Sequence, residues 1–308
     1  MTDKWIPSKK DIKSYLEDRR NWGRWGEHGS LGAINLIDNN KRIQAAELVK
    51  TGRNISLSRP LPVQYSLENP QPAQHYLQIW DRPPNGGAAV DYYGVMYHGT
   101  ATTHIDALCH VWDENGMWDG RDPAETITFS GAKYGSIDAW HEGIMTRGIL
   151  LDVPKYRKKP YVTLDEPVHG WELDQIVNQQ GVNLESGDAV FVYSGREAYA
   201  RSNSEIWSDR IHNGARPGLH ASCLPFIRDN DVSILGWDMM DAAPNEYNIP
   251  WTMHGVIFAY GVALLDNSLL EPLSKACEEE KRYEFMITIN PLNVIGGTGS
   301  PVNPIATF

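Results

Sequence analysis

The densest concentration of groups able to do chemistry lies in residues 96–120, MYHGTATTHIDALCHVWDENGMWDG. His98, His104, Asp106 and His110 share one parity, so an extended backbone turns all four side chains to one face. Asp106 and His110 stand four residues apart and would also be neighbours on a helix. Along a strand His104 and Asp106 are separated by about 6.6 Å, within reach of one ion. An imidazole paired with a carboxylate suits Zn²⁺, Mn²⁺ or Fe²⁺. A straight strand would leave His98 about 20 Å from His104, so only a turn at Gly99 and Thr100 brings it to the same ion. Histidines beside an aromatic strand also serve as hydrogen-bonded core or surface residues, and spacing alone leaves both readings open.

Aromatic side chains crowd this segment. Tyr97, Trp112 and Trp118 flank the histidines and Trp80 lies upstream, placed to wall a pocket for a flat or apolar substrate; the same residues also make ordinary core. Cys109 adjoins His110, but adjacent side chains point apart and buried cysteine is common, so a nucleophilic role is not expected. Glu142 reads as a solvated loop carboxylate. Arg196 follows the strand-like run AVFVY at a strand end, where α/β sites often lie, although a surface ion pair is the simpler reading. The chain has no G-x-S-x-G elbow, P-loop or H-E-x-x-H motif.

The run THIDALCH resembles the core of the cyclase/bacterial kynurenine formamidase superfamily, whose signature reads H-x-G-T-H-x-D-x-P-x-H. Thr103, His104, Asp106 and His110 match position for position. The resemblance implies metal ligation by His104 and Asp106 and general acid–base work by His110. Thr100 stands where the family has its first His ligand, Thr102 where it has Gly, and Leu108 where it has Pro. Either His98 fills the vacant ligand place through a shifted turn, or Thr100 and water do, or no metal binds. The family also carries a His followed twelve residues later by a Glu near the metal. Here that spacing gives His254 and Asp266 in WTMHGVIFAYGVALLDN. One unbroken helix would hold those two about 18 Å apart, so convergence requires a reversal at Gly261; otherwise His254 caps or packs a helix and Asp266 caps the next, 267–279. GWDMMDAAP, NWGRWGEHGSLGAINLI and TGSPVNPIATF extend the resemblance to longer members over nearly the whole chain. Homodimers or homotetramers are implied as well.

Elements able to position these groups are legible in outline. Ser8 and Asp38 read as helix caps before KKDIKSYLEDRR and NNKRIQAAELVK, with Gly52 past the end of the second helix. Strand-like runs fall at 54–57, 76–80, 89–97, 147–153, 189–193, 232–235 and 283–289, and helical patterns at 170–179, 219–229, 254–260 and 267–279. GGTGSPVNP, residues 296–304, reads as an ordered loop, not a dinucleotide-binding turn. Without repeats or a linker, the 308 residues form one domain, spanning 1–308: an α/β fold with a mixed sheet and packed helices. The resemblance makes it the swivelling β/α/β type.

Twenty-eight Lys+Arg against 39 Asp+Glu leave a net charge of −11, which excludes a general nucleic-acid binder. Three unpaired cysteines exclude a disulfide scaffold. No apolar stretch is long enough to cross a membrane and no signal peptide is evident, so a cytoplasmic protein without membrane partners is expected. The leading expectation is a hydrolase of an amide, lactone or related acyl bond in a small cyclic or aromatic molecule. A divalent ion, Zn or Mn, would activate water at His104 and Asp106, aided by His98, His254 or Asp266, with His110 as base. The alternatives are a metal-free cyclase, dehydratase or lyase using the same cluster, and an inactive small-molecule binder.

Overall fold

The computed structural model describes residues 4–66, 68–81, 84–202 and 214–308. Its strands are β1 (Asn54–Ser56), β2 (Gln74–Asp81), β3 (Gly87–Gly94), β4 (His104–Asp106), β5 (Ile127–Thr128), β6 (Gly131–Ala132), β7 (Ile144–Asp152), β8 (Ala189–Tyr193), β9 (Ile234–Trp237), β10 (Ala263–Asp266), β11 (Glu284–Ile289), β12 (Gly299–Pro301) and β13 (Ile305–Thr307). Nine of them form one mixed sheet in the order β1-β13-β11-β7-β8-β9-β10-β4-β12, while β2/β3 and β5/β6 are separate hairpins. At its centre β7, β8, β9 and β10 run parallel. Sequences such as AVFVY and ALLD suit that place, because parallel strands are covered on both faces and need continuous apolar runs. Their residues are almost all buried.

Parallel neighbours need crossovers, and helices supply them. The short α3 (Pro123–Thr126) leads into β5; between β7 and β8 lie α4 (Val153–Arg157) and α5 (Gly170–Gln180), and between β8 and β9 lie α6 (Arg196–Ser202) and α7 (Leu224–Asp229). The single helix α8 (Gly255–Tyr260) precedes β10. Near the N-terminus Ser8 caps α1 (Lys9–Glu17) in a capping box with Asp11, and Asp38 caps α2 (Asn39–Glu47) by accepting from the Lys41 amide.

The structure redraws several boundaries. The expected strand over 89–97 stops at Gly94, and the chain then turns so that Tyr97 and His98 leave the hairpin for the sheet. Residues 296–304 are more than a loop, since they contain edge strand β12, where Pro301 is tolerated because an edge has no partner for its missing N–H. The helix expected from 267 starts at Glu271 instead. Asn267 occupies the left-handed region at φ 56°, which a helix cannot continue. The segment 219–229 is a short 3₁₀ turn, Ala221–Cys223, followed by α7.

Candidate metal centre

The centre is built from two antiparallel strands. In β4, His104 and Asp106 are two residues apart and share a face; in β10, Asp266 pairs directly with His104 and joins them on that face. Asp266 arrives there through the reversal that its spacing from His254 requires. Helix α8 ends at Gly261 in the left-handed region, φ 69°, and the chain doubles back into β10. No larger residue fits this corner, because a Cβ on Gly261 would lie 2.8 Å from the Trp118 ring. His254, just ahead of α8, thereby ends with its Nε2 3.6 Å from Asp266 Oδ2.

Each ring is held in one tautomer. His104 Nδ1 donates to the Thr102 carbonyl at 2.8 Å, which leaves the Nε2 lone pair facing Asp106 Oδ1 at 3.4 Å and Asp266 Oδ2 at 3.8 Å. His254 Nδ1 donates to Asp241 Oδ1 at 2.7 Å, so its Nε2 is likewise presented to Asp266. Trp237 Nε1 donates to Asp266 Oδ1 and leaves Oδ2 for the two imidazoles. Carboxylate- or carbonyl-oriented imidazoles are the usual second layer of a metal site. Ligand atoms around one tetrahedral ion sit about 3.4 Å apart, given bonds of about 2.1 Å. The spacings here are of that size.

His98 reaches the cluster by the turn its distance demands. Gly99 sits at φ 135°, and residues 99–102 fold back so that His98 Nδ1 lies 2.9 Å from Asp106 Oδ1, without hydrogen-bond alignment. The His98 ring stacks on His110 at 3.8 Å and 3°. His110 Nε2 is 3.9 Å from the same Asp106 oxygen. The turn is clamped from below: Asn267 Nδ2 donates to Gly99 and Thr102 carbonyls at 2.6 and 3.1 Å, and Arg196 bonds Thr100 O and, at 2.7 Å, Asn267 Oδ1. Arg196 is thus a buried clamp and not the surface ion pair read from sequence. Thr100, in the family's ligand place, spends its hydroxyl on the Glu68 carbonyl.

Asp106 is fully buried, and both its oxygens, together with His98 Nδ1, lack a hydrogen-bond partner. Its Oδ1 faces His98 Nδ1 at 2.9 Å, His104 Nε2 at 3.4 Å and His110 Nε2 at 3.9 Å, and a buried carboxylate set among ring nitrogens without aligned hydrogen bonds fits a cation shared between them. The local field agrees. Burial opposes the charged form of His104, yet the Asp106 carboxylate and then Asp266 raise its pKa; burial likewise opposes His254, which Asp241 and then Asp266 raise. Asp106 itself is held well below the carboxylate range by His110 and His104 despite its burial. The pocket asks for positive charge, which an ion supplies. Among the described residues two three-donor groups could hold one, His104/Asp106/Asp266, wholly buried, and His98/Asp106/His110, which share Asp106. His110 differs in kind: burial lowers its pKa to about 4, so it is a neutral imidazole at pH 7.

The Cyclase family model matches residues 55–244, well over half the chain. The protein belongs to the Cyclase family. A solved structure described as a novel cyclase superposes with a TM-score of 0.83 at 25% identity, covering 95% of this chain and 99% of the other. Isatin hydrolase A from Labrenzia aggregata, bound to benzyl benzoate, superposes at 0.56 with 16% identity over 87% of this chain and 97% of its own. Isatin hydrolase A from Ralstonia solanacearum gives 0.52 at 16%, covering 82% of this chain and 91% of its own. These two establish shared fold alone. Comparison with curated proteins finds no match.

In this Cyclase-family chain the aromatic residues divide. Tyr97 lies against the centre, its ring 4.5 Å from His98 and 5.8 Å from His104, and its hydroxyl donates to Gly299 O. Trp112 is half-exposed and lines a cavity of about 300 Å³ with Trp251, Phe258 and Leu16 and with the charged Lys9, Lys13, Glu17, Asp113 and Glu114. Trp251, which precedes His254 in the sequence, also packs 5.5 Å from the His254 ring. Trp118 corrects the expectation of a pocket wall. It is core, fully buried under the Gly261 corner, with Nε1 donating to Gly29 O at 2.7 Å. Trp80 is exposed on the β2–β3 hairpin. The Cys109 thiol is pushed up to about 12 by burial, which removes its thiolate at neutral pH. Asp241 and Trp237, the orienting partners, carry no local signal in GWDMMDAAP, since only the fold brings them to His254 and Asp266.

Proposed function

We propose that the protein is a metal-dependent hydrolase opening a C–N or C–O acyl bond, as in an amide or lactone, of a small cyclic or aromatic molecule. The observation that carries this reading is the wholly buried group of His104, Asp106 and Asp266, whose ligand atoms lie within 4.8 Å of one another. His104, Asp106 and Asp266 would hold a Zn or Mn ion, with His254 Nε2 facing the same Asp266 oxygen as His104. Such an ion polarises a carbonyl and acidifies water.

The protein's own groups do the rest. His110, neutral and partly open to solvent, accepts a proton from water and returns it to the leaving nitrogen or oxygen. Stacking on His98 fixes its ring plane. Trp112 and Trp251 offer flat apolar walls to a planar substrate. Because structural neighbours include isatin hydrolases, isatin is a natural first substrate to test.

The stacked His98/His110 pair on one carboxylate favours a second reading, acid–base lyase or cyclase chemistry without an ion. Elemental analysis of purified protein, with turnover on isatin, arylformamides and lactones before and after chelation, separates the two. Near-stoichiometric metal, lost in His104→Ala, and chelator-sensitive hydrolysis support the hydrolase. Full activity in metal-free protein overturns it.

A further inference from the structure

Two adjoining cavities lie beside the segment that delivers Tyr97 and His98. The smaller holds about 110 Å³ between residues 68–71 and 96–102, with Tyr97 and His98 in its wall. That is the share of about four water molecules, too little for a ring system. Gln71 and Met96 also line the larger cavity, of about 850 Å³, at the root of the β2–β3 hairpin, so the two meet there. A volume of that size is ordinary for a small-molecule site. The chain that bounds both is tied down. Asn69 Nδ2 donates to Pro62 O and Gln64 O at 2.8 and 2.7 Å, the Ala73 amide donates to Pro62 O at 2.9 Å, and the Thr100 hydroxyl donates to Glu68 O at 3.2 Å. The space is therefore formed in advance, which lowers the cost of filling it.

We infer that the hairpin-root cavity is a substrate subsite, taking an uncharged apolar or aromatic group attached to the bond that is cleaved at the centre. Its lining is the first argument. Val63, Pro72, Ala73, Val95 and Met96 are apolar, and among the described residues no Asp, Glu, Lys or Arg lines it, in a chain that is 22% charged. An ionic group seated there would lose water without gaining a counter-charge. The Trp112 cavity, with its lysines and carboxylates, is the opposite case. The titratable lining side chain, His75, is engaged by Asp91 at 2.6 Å. Shape is the second argument. The Tyr76 ring stacks on Tyr92 at 5.9 Å and 15°, which fixes it as a flat wall for a planar group. Gln71 and Gln74 make no side-chain hydrogen bond to the described residues, and their amides are open to a carbonyl or ether oxygen on that group.

Position is the third argument, because the chain runs from Val95 and Met96 in the large cavity straight to Tyr97 and His98 in the small one. The inference rests on the hydrolase reading: the acyl bond lies toward His98, and one of its substituents extends against Met96 and Tyr76. The substrate is then larger than one fused ring, with a neutral tail on one side of the bond.

Binding and turnover test it separately. The neutral, flat fluorophore N-phenyl-1-naphthylamine is titrated into full-length, metal-stripped protein, wild type, Met96→Asp and Val63→Asp. Both side chains are exposed, Met96 to 71% and Val63 to 48%, so the fold tolerates the change, and if one variant loses its far-UV spectrum the other decides. Saturable binding to the wild type, weakened at least about tenfold in the folded variants, supports the subsite. No saturable binding, or binding unchanged in a folded variant, overturns it. The metal-loaded protein is then given phenyl acetate, phenyl hexanoate and 4-butylphenyl acetate. Each buried methylene is worth about a factor of three, so one of the two extended esters should exceed phenyl acetate in kcat/KM at least about tenfold, and both variants should cancel that gain. Hydrolysis with no gain, or a gain that survives the substitutions, overturns the subsite and leaves the hydrolase reading standing. No hydrolysis of any ester counts against that reading alone, and the fluorophore titration still decides the subsite.

Discussion

Asn267 is the residue on which the cluster's geometry turns, and its replacement is the most demanding test of the positioning argument. Its side chain donates to Gly99 O and Thr102 O and accepts from the Arg196 guanidinium. Thr102 O in turn orients His104 through Nδ1. In Asn267→Ala two neutral hydrogen bonds worth about 1 kcal/mol each and one charge-assisted bond worth about 2 kcal/mol are lost. Alanine in the left-handed region adds about 1 kcal/mol. A global loss of about 3–5 kcal/mol follows, to be read by urea unfolding of the metal-free protein. Loosening a supporting partner of this kind lowers metal affinity about 10- to 100-fold. A 30-fold weaker site gives up about 2 kcal/mol of metal-induced stabilisation at saturating ion. Asn267→Asp separates the causes, since Asp tolerates the backbone and keeps the Arg196 contact but cannot donate to the two carbonyls. It should recover part of the stability and little of the affinity. If both variants bind Zn or Mn as tightly as wild type while losing stability, the turn holds itself and the positioning argument fails.

Three further outcomes follow from the site and its surroundings. His110→Ala should lower turnover at least about 100-fold while keeping metal stoichiometry; retained activity would remove His110 as the base. Trp118→Ala should cost about 3–5 kcal/mol in thermal or urea unfolding, whereas Trp112→Ala should move stability by less than about 1 kcal/mol and raise KM several-fold. The reverse pattern would exchange their roles. His169 is lowered to about 4 by burial and then by the neighbouring His220, so the folded state resists its protonation. Its contribution is complete above about pH 6.5, the unfolded value, and is lost as pH falls toward 4. His169→Gln should flatten the stability profile over that window, and an unchanged slope in urea titrations would exclude it.

Much of the sheet and part of the site were legible from local pattern. AVFVY is β8 residue for residue, because a strand buried on both faces has an unbroken apolar signature. His104 and Asp106 were readable together because a strand's two-residue period puts them on one face. What escaped depends on long-range pairing. Strand β4 is three residues long and has no length of pattern, and β12 looks like a loop because it is glycine- and proline-rich and pairs as an edge strand. Asp241 and Asn267 gain their roles from residues far along the chain, 13 positions away for His254 and 168 for Gly99. Trp118 shows the opposite failure, where proximity in sequence to His110 suggested a pocket and the Gly261 corner claimed it for the core.

Whether Asp106 and its neighbours hold a divalent ion is read by an anomalous difference map collected at the zinc and manganese edges. One peak is expected within about 2.0–2.2 Å of His104 Nε2 and of an oxygen each from Asp106 and Asp266. A map with no peak among these groups, or one whose peak joins His98 and His110 and leaves His104 free, would contradict it.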